Sequence, residues 1–275
     1  MTARSRPAVA SGRVGGGQGA SGVSVSENGS ERKSVVNSVL RACSIMELLA
    51  RERGDVPLAR VASETGLTRP TAHRILATLE IAGWVRKTPN GRYGLTVKVF
   101  TVGAAAPETA TLRDVARPVL GRLAMETGDT AYLLVPHEGR AVCVERIEGP
   151  HPVRVHAVSL GGSIPLTAGG APLAMLAFRP DLLDVVVPNP RARTHLRKRI
   201  QEVLGQGYAI TKDDVIPGVS ALGAPIVDAG DQVIAAISVT GTNDRFTGRE
   251  LERRAVAVVG AAHEITDLLR RAGGT

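Results

Sequence analysis

Cysteine is scarce in this chain, and long apolar runs are missing from it. Cys43 and Cys143 are the only two cysteines among 275 residues, and their spacing suits neither a disulfide framework nor a zinc site. Both fall in apolar patterns, which predicts two buried, small hydrophobic side chains in a reducing compartment. No stretch approaches the roughly 18 consecutive apolar residues of a membrane span, and the N-terminus lacks a signal-peptide core. We therefore expect a cytoplasmic protein with no membrane partner.

Residue groups with catalytic spacing are also missing. Most histidines stand singly on predicted loops, strands and helices, without the spacing of a metal site or a catalytic triad. Gly169-Gly170 is too short to be a phosphate-binding loop. The adjacent Asp213 and Asp214 are more typical of a solvated loop than of a catalytic carboxylate pair. We expect neither an enzyme nor a bound metal or cofactor.

The positive charge of the chain lies in its N-terminal part. The formal net charge is +8, and residues 1–100 contain 15 Lys or Arg against 7 Asp or Glu. The totals of 34 and 26 leave 19 of each sign for residues 101–275, which are therefore neutral. This distribution indicates a nucleic-acid-binding module joined to a domain with another purpose.

A helix-turn-helix is predicted at about residues 58–77. Apolar residues at helical spacing on both sides of Gly66 give two short helices one buried face each. Gly66 suits the left-handed end of the first helix, and Thr68 suits the cap of the second. An amphipathic hairpin with a solvated basic face is the alternative. The outward face of the second helix carries side chains suited to the major groove, namely Arg69, Thr71, His73 and Arg74.

A predicted hairpin follows the two helices directly. Residues 84–88 and 93–96 have strand character, and Asn90-Gly91 between them is a strong hairpin signal. Lys87 and Arg92, beside Arg86, give this hairpin a basic surface. A helix-turn-helix followed by a basic hairpin is a winged helix, and the combination is more specific than either part.

Composition divides the chain into four parts. Residues 1–35 are rich in Gly, Ser, Ala and Arg, which predicts a disordered leader. The winged helix occupies 36–98, and an apolar linker at 99–111 is expected to pack on another surface. Residues 112–272 mix helices with strands, including one at 153–156, which predicts an α+β domain with a mainly antiparallel sheet.

The order of these segments resembles the IclR family of transcriptional regulators over roughly residues 36–272. The segments that carry the resemblance are 66–79, 164–177, 207–225 and 233–241. The resemblance implies a GAF-like effector-binding domain after the winged helix. It also implies dimers, often paired into tetramers, whose promoter binding is modulated by a small metabolite.

The resemblance further implies an effector pocket at six positions of this sequence. A helix N-terminus offers N–H groups that favour an anion, and two hydroxyls two residues apart on a strand share one face. These groups suit the carboxylate of a small organic acid, although hydroxyls that only satisfy a sheet interior are the alternative. The six positions are Gly170, Ala171, Asp213, Ala221, Ser238 and Thr240.

We therefore expect a ligand-responsive DNA-binding transcriptional regulator of a metabolic or catabolic operon, and a repressor rather than an activator. Its expected partners are double-stranded operator DNA, an organic acid effector and further copies of itself in a homodimer or homotetramer. Its expected place is the cytoplasm, at the nucleoid. The alternative is an architectural DNA-binding protein without small-molecule response, but DNA coating alone does not require the neutral second domain.

Overall fold

The N-terminal domain is a winged helix, as predicted. The computed structural model describes residues 35–52, 54–103, 107–187 and 189–272, so the predicted leader lies outside the described residues except for Val35. The elements are α1 Asn37–Arg51, β1 Val56–Pro57, α2 Leu58–Thr65, α3 Arg69–Ile81, β2 Val85–Lys87 and β3 Arg92–Leu95. The three strands pair in the order β1-β3-β2 and are antiparallel.

Local capping explains where the two central helices end and begin. Gly66 follows α2 with a φ of 66°, a left-handed conformation that glycine adopts without a steric penalty. Thr68 precedes α3, and its Oγ1 accepts a hydrogen bond from the N–H of Thr71 at 3.4 Å. The turn between the helices is therefore set by neighbouring residues. The core that it closes is apolar, and its members include Ile45, Leu48, Val61, Ala72, Leu76 and Tyr93.

The first helix, α1, is covered only in its C-terminal half. Its buried residues all lie from Ile45 onward, whereas Val39 and Cys43 are exposed. The prediction that Cys43 is buried is therefore wrong, because the apolar stripe of α1 continues past the body of the domain. The same prediction for Cys143 is confirmed, since this residue is buried in a strand of the second domain and burial raises its pKa to about 12.

Helices connect the winged helix to an α+β domain with one antiparallel sheet. The elements are α4 Val97–Gly103, α5 Pro107–Thr127, β4 Thr130–His137, β5 Arg140–Ile147, β6 Ser163–Pro165, α6 Gly170–Ala177, α7 Pro180–Val186, α8 Pro190–Gln206, β7 Ala209–Lys212, β8 Val219–Val227, β9 Val233–Thr242 and α9 Gly248–Ala272. The strand order is β6-β5-β4-β9-β8-β7, and every neighbouring pair is antiparallel. Residues 153–156, predicted as a strand, form a loop instead.

Helices cover both faces of the sheet. Leu133 of β4 belongs to the core under α5 and α9, while its neighbours Tyr132 and Leu134 belong to the core under α6. All eight residues of α6 are buried, as its apolar composition requires. No helix within the described ranges is long and apolar enough to cross a membrane.

A buried ion pair joins the start of β4 to α9. The Asp129 side chain is 1 % exposed and that of Arg254 is 2 % exposed, with 2.8 Å between Asp129 Oδ2 and Arg254 Nε. Arg245 Nε donates to the other carboxylate oxygen, also at 2.8 Å. Two guanidinium groups therefore hold one carboxylate, which compensates for its removal from water.

Candidate effector cavity and nucleic-acid interface

A small cavity lies between the N-terminus of α6 and the sheet. Its free volume is about 30 Å³, which is space for about two water molecules. Most of its wall is apolar, and its polar groups come from α6, from strands β4, β7 and β9, and from Asp214 in the loop after β7. The lining includes Tyr132, Gly170, Thr211, Ala221, Ser238 and Thr240.

Two glycines allow α6 to begin directly on the sheet. A Cβ on Gly170 would lie 2.9 Å from the backbone nitrogen of Gly223, and a Cβ on Gly223 would collide with the backbone of Gly170 and Ala171. Pro172 has no N–H, and the N–H of Leu173 is bonded to the carbonyl of Gly169. The first turn therefore presents the N–H groups of Gly170 and Ala171, which no residue inside the helix accepts.

The predicted sheet positions share one face in two cross-strand rows. Thr211 of β7 pairs with Ala221 of β8, which in turn pairs with Thr240 of β9. Ser238 lies in the adjacent row, between Gly223 and Tyr132. The structure thus brings Gly170, Ala221, Ser238 and Thr240 to one cavity. Ala171 is fully buried in the core behind it.

Asp213 lies outside this cavity, and Asp214 lines it. The carboxylate of Asp213 accepts hydrogen bonds from the Asn243 side chain at 2.9 Å and from the N–H of Gly218 at 2.6 Å. These two bonds, the Asn243 bond foremost, hold the pKa of Asp213 below its usual value. Asp214 instead accepts from the N–H of Gly169 at 3.3 Å. The loop after β7 turns the second carboxylate, not the first, toward α6.

Tyr132 is a cavity residue that sequence reasoning missed. Its hydroxyl donates to the carbonyl of Val155 at 2.9 Å and accepts from the N–H of Ala157 at 3.2 Å. Burial raises its pKa to about 12, so the hydroxyl keeps its proton at neutral pH. Tyr132 therefore fastens residues 155–158, which we call the cavity loop. The sequence signals this residue only as a lone tyrosine in an apolar strand. Its place in the cavity depends on the pairing of β4 with β9, which are far apart in the sequence.

The recognition helix α3 exposes three of its four predicted DNA-binding residues. Arg69, His73 and Arg74 are exposed, while Thr71 is half-buried with its hydroxyl 2.9 Å from that of Thr68. At about 100° per residue, Arg69 and Arg74 point about 140° apart around the helix axis. The two arginines therefore do not share one face.

The wing keeps two of its three cations available. Arg86 Nη2 lies 2.7 Å from Asp55 Oδ1, so its charge is paired. Lys87 Nζ lies 5.8 Å from the centre of the Tyr93 ring. Arg92 donates through Nε to the backbone carbonyl of Asp55 at 2.8 Å, which leaves the rest of its guanidinium exposed. The predicted residues Lys87 and Arg92 thus both lie at the surface of the hairpin.

Comparison with known proteins matches both domains. Residues 38–89 match the family model described as IclR helix-turn-helix domain, and residues 104–267 match Bacterial transcriptional regulator IclR C-terminal. The chain is 27 % identical to the transcriptional repressor IclR of Escherichia coli, over 84 % of this chain and 89 % of that protein. It is 30 % identical to the glycerol operon regulatory protein of Streptomyces griseus, over 77 % and 87 %.

A solved structure shows the same fold. The IclR homolog from Microbacterium hydrocarbonoxydans complexed with 4-hydroxybenzoate matches with a TM-score of 0.76 at 20 % identity, over 85 % of this chain and 99 % of that one. The two family models cover most of the chain. Together with this structural likeness, they agree with the winged helix, the antiparallel sheet and the order of the domains. The chain therefore belongs to the IclR family and is a ligand-responsive, DNA-binding transcriptional regulator.

Proposed function

We propose that this regulator is a homodimeric repressor of a metabolic operon. A small organic acid that binds in the cavity at the N-terminus of α6 controls its affinity for operator DNA. The names of two relatives, a transcriptional repressor and a glycerol operon regulatory protein, support this role. The observation that carries the proposal is the joint presence of an exposed basic recognition helix and a small cavity with polar groups in separate domains.

The DNA-reading part of the proposal rests on α3 and the wing. Arg69 lies at the exposed start of α3, where side chains of a recognition helix contact base edges. His73 follows one turn later on the same side. Lys87 and Arg92 extend the positive surface along the hairpin. Arg69 is therefore assigned to base recognition, and the wing cations to the DNA backbone.

The effector part rests on the groups that meet in the cavity. The N–H group of Gly170, which lines the cavity, stands at the positive end of the α6 dipole with that of Ala171 behind it, and this terminus suits a carboxylate. The Ser238 and Thr240 hydroxyls face the same space from β9. The apolar remainder of the wall, with Tyr132, suits a hydrocarbon body. The Microbacterium homolog, which was solved with an aromatic acid, is consistent with this ligand class.

The small size of the cavity supports a response to binding. A free volume of about 30 Å³ holds about two waters, so an acid with more than a few heavy atoms must displace a wall. The cavity loop lies outside the strands and is held to the sheet by two hydrogen bonds of Tyr132, so we assign the displacement to this wall. An effector that binds the opened arrangement more tightly shifts the protein toward it.

Exposed apolar side chains support the dimer. Val36, at the N-cap of α1, is 59 % exposed, Leu40 on α1 is 54 % exposed, and Phe100 on α4 is 67 % exposed. Apolar surface of this kind marks an interaction site in a soluble domain. A two-fold axis through α1 and α4 would place two copies of α3 on a palindromic operator.

The proposal is tested on an operator selected in vitro from random DNA duplexes. Gel-shift titrations are run with and without a panel of organic acids, and a thermal-shift screen of the same acids identifies the effector. We expect one class of acid both to raise the melting temperature and to change operator affinity. Selection that yields no preferred sequence would leave the architectural DNA-binding alternative standing.

A further inference from the structure

A second concave surface lies in the winged helix, between the N-terminal half of α1 and the side of α3. This groove has a volume of about 470 Å³, far larger than the effector cavity. Its floor is apolar and includes Ile75 and Leu79. Its polar lining is made of two guanidinium groups and three hydroxyls, from Ser38, Arg41, Thr71, Arg74 and Thr78.

The groove carries positive charge without an internal counter-ion. None of its lining residues is acidic. Arg41 and Arg74 are exposed, and neither forms an ion pair within the part of the chain that the structure describes. By contrast, Arg60 and Arg86 in the same domain are paired with carboxylates at 2.7 Å each. The two groove arginines therefore remain available to an external anion.

The start of α1 adds a second positive feature to this groove. The helix has no capping side chain and no acidic residue in its first turn. The N–H groups of Val39 and Leu40 are both bonded to the carbonyl of Val36. The N–H groups before them have no acceptor inside the helix, and they stand at the positive end of a 15-residue helix dipole.

The direction of Arg74 links the groove to DNA. This arginine points about 140° away from Arg69 around α3, toward the α1 side of the recognition helix. When the face of α3 near Arg69 and His73 lies in a major groove, the α1 side approaches the sugar-phosphate strand that borders it. An anion of the DNA backbone is therefore the ligand that this position meets.

We propose that the groove between α1 and α3 binds a phosphodiester of the operator backbone, with Arg41 and Arg74 clamping the phosphate and Ser38 beside it. This inference rests on the proposed DNA-binding function and assigns α1 a direct part in it. Arg74 then anchors the recognition helix on the backbone, while base recognition stays with Arg69. Phosphate contacts set register without reading sequence.

The test measures how operator affinity depends on salt for the full-length protein. A phosphate contact contributes about one unit to the slope of log affinity against log salt. Arg41→Ala and Arg74→Ala should each lower that slope by about 1 per bound domain and weaken operator and random DNA by the same factor. Arg74→Lys should retain most of the slope, because a point charge still serves a phosphate.

Arg51→Ala is the matched control. It removes the same charge from the other end of α1, about 15 Å from Arg41 at 1.5 Å per residue, and should leave the slope within 0.3 of the wild type. If Arg41→Ala and Arg74→Ala both kept the wild-type slope, the inference would be overturned. The proposed function would still stand in that case, because it depends on operator binding by the wild-type protein. Loss of sequence preference in Arg74→Ala, or dissociation to monomers in sedimentation, would also overturn it.

Discussion

Asp214 and Arg199 form an ion pair beside the effector cavity, with 2.5 Å between Asp214 Oδ2 and Arg199 Nη2. The same carboxylate oxygen accepts the N–H of Gly169 at the start of α6. A negative charge of the protein's own therefore already stands next to the helix terminus that we assign to the effector's carboxylate. Arg199, on α8, offsets that charge.

Asp214→Asn should strengthen the binding of an anionic effector. Removing a like charge at about 4 Å is worth about 1 kcal/mol even in a water-like medium, which is roughly a fivefold gain in affinity. Isothermal titration of the acid identified by thermal shift measures the change. Asp213→Asn is the matched control, because it removes the same charge from the adjacent residue outside the cavity. Weaker binding of the effector to Asp214→Asn would mean that Asp214 contacts the ligand directly.

The double variant Ser238→Ala/Thr240→Val should lose stabilisation by the effector. At 100 times its dissociation constant, a ligand stabilises the wild type by about 2.7 kcal/mol, which a thermal-shift assay detects readily. Removal of both hydroxyls deprives the acid of its partners on β9. Thr242→Val, on the same strand but outside the cavity lining, should keep the full shift. Equal shifts in wild type and double variant would place the effector elsewhere.

Arg69→Ala should relax specificity at a single base pair of each operator half-site. The loss of one base-reading arginine costs roughly 1–3 kcal/mol on the operator and little on random DNA. Competition titrations with operators changed at one base pair at a time identify the position. A uniform loss over all sequences would instead make Arg69 a backbone contact.

Cys43 should report the dimer contact of α1. It is exposed in one chain and lies one turn from Val39 and Leu40, whereas Cys143 is buried with its pKa raised to about 12. In the proposed dimer, we expect a thiol reagent to label Cys43 slowly and Cys143 only after unfolding. Leu40→Glu should speed the labelling of Cys43 and yield monomers in sedimentation. Fast labelling of a wild-type dimer would move the contact away from α1.

Asp129→Asn should destabilise the second domain strongly. Removing the carboxylate leaves the buried Arg254 with only the exposed Glu250 as an ion-pair partner and takes the partner of Arg245 away, and breaking a buried pair in this way costs about 3–5 kcal/mol. Glu264→Gln removes a carboxylate from an exposed pair with Arg122 and should cost less than about 1 kcal/mol. Urea unfolding measures both variants. Similar midpoints for the two would show that the Asp129 charge is dispensable and that the bonds of Arg245 and Arg254 to the Thr127 carbonyl, together with Glu250, stabilise this corner.

The winged helix can be predicted from local sequence signals. The cavity cannot be predicted in this way, because it depends on strands that pair over a long range. Gly66 and Thr68 act on their own neighbours, so the helix-turn-helix could be read from a short window. The cavity instead depends on β4 lying beside β9, about 100 residues away. Tyr132 was therefore missed. Cys43 was predicted as buried because periodicity finds an apolar stripe without telling how far the neighbouring helices extend along it.

The contact between Gly170 and Gly223 divides the cavity into two parts with different freedom to change. Where α6 meets β8, the backbone of one element lies against the backbone of the other. No substitution of a side chain at this contact can therefore change the shape of the cavity. In the proposed site, the end that faces the carboxylate is consequently the same for any acid. In the proposed site, discrimination between one acid and another must come from the side chains that line the rest of the cavity, among which Thr211, Ala221 and Tyr132 differ in size. A regulator with a new effector is therefore best sought by varying these three positions while both glycines are kept.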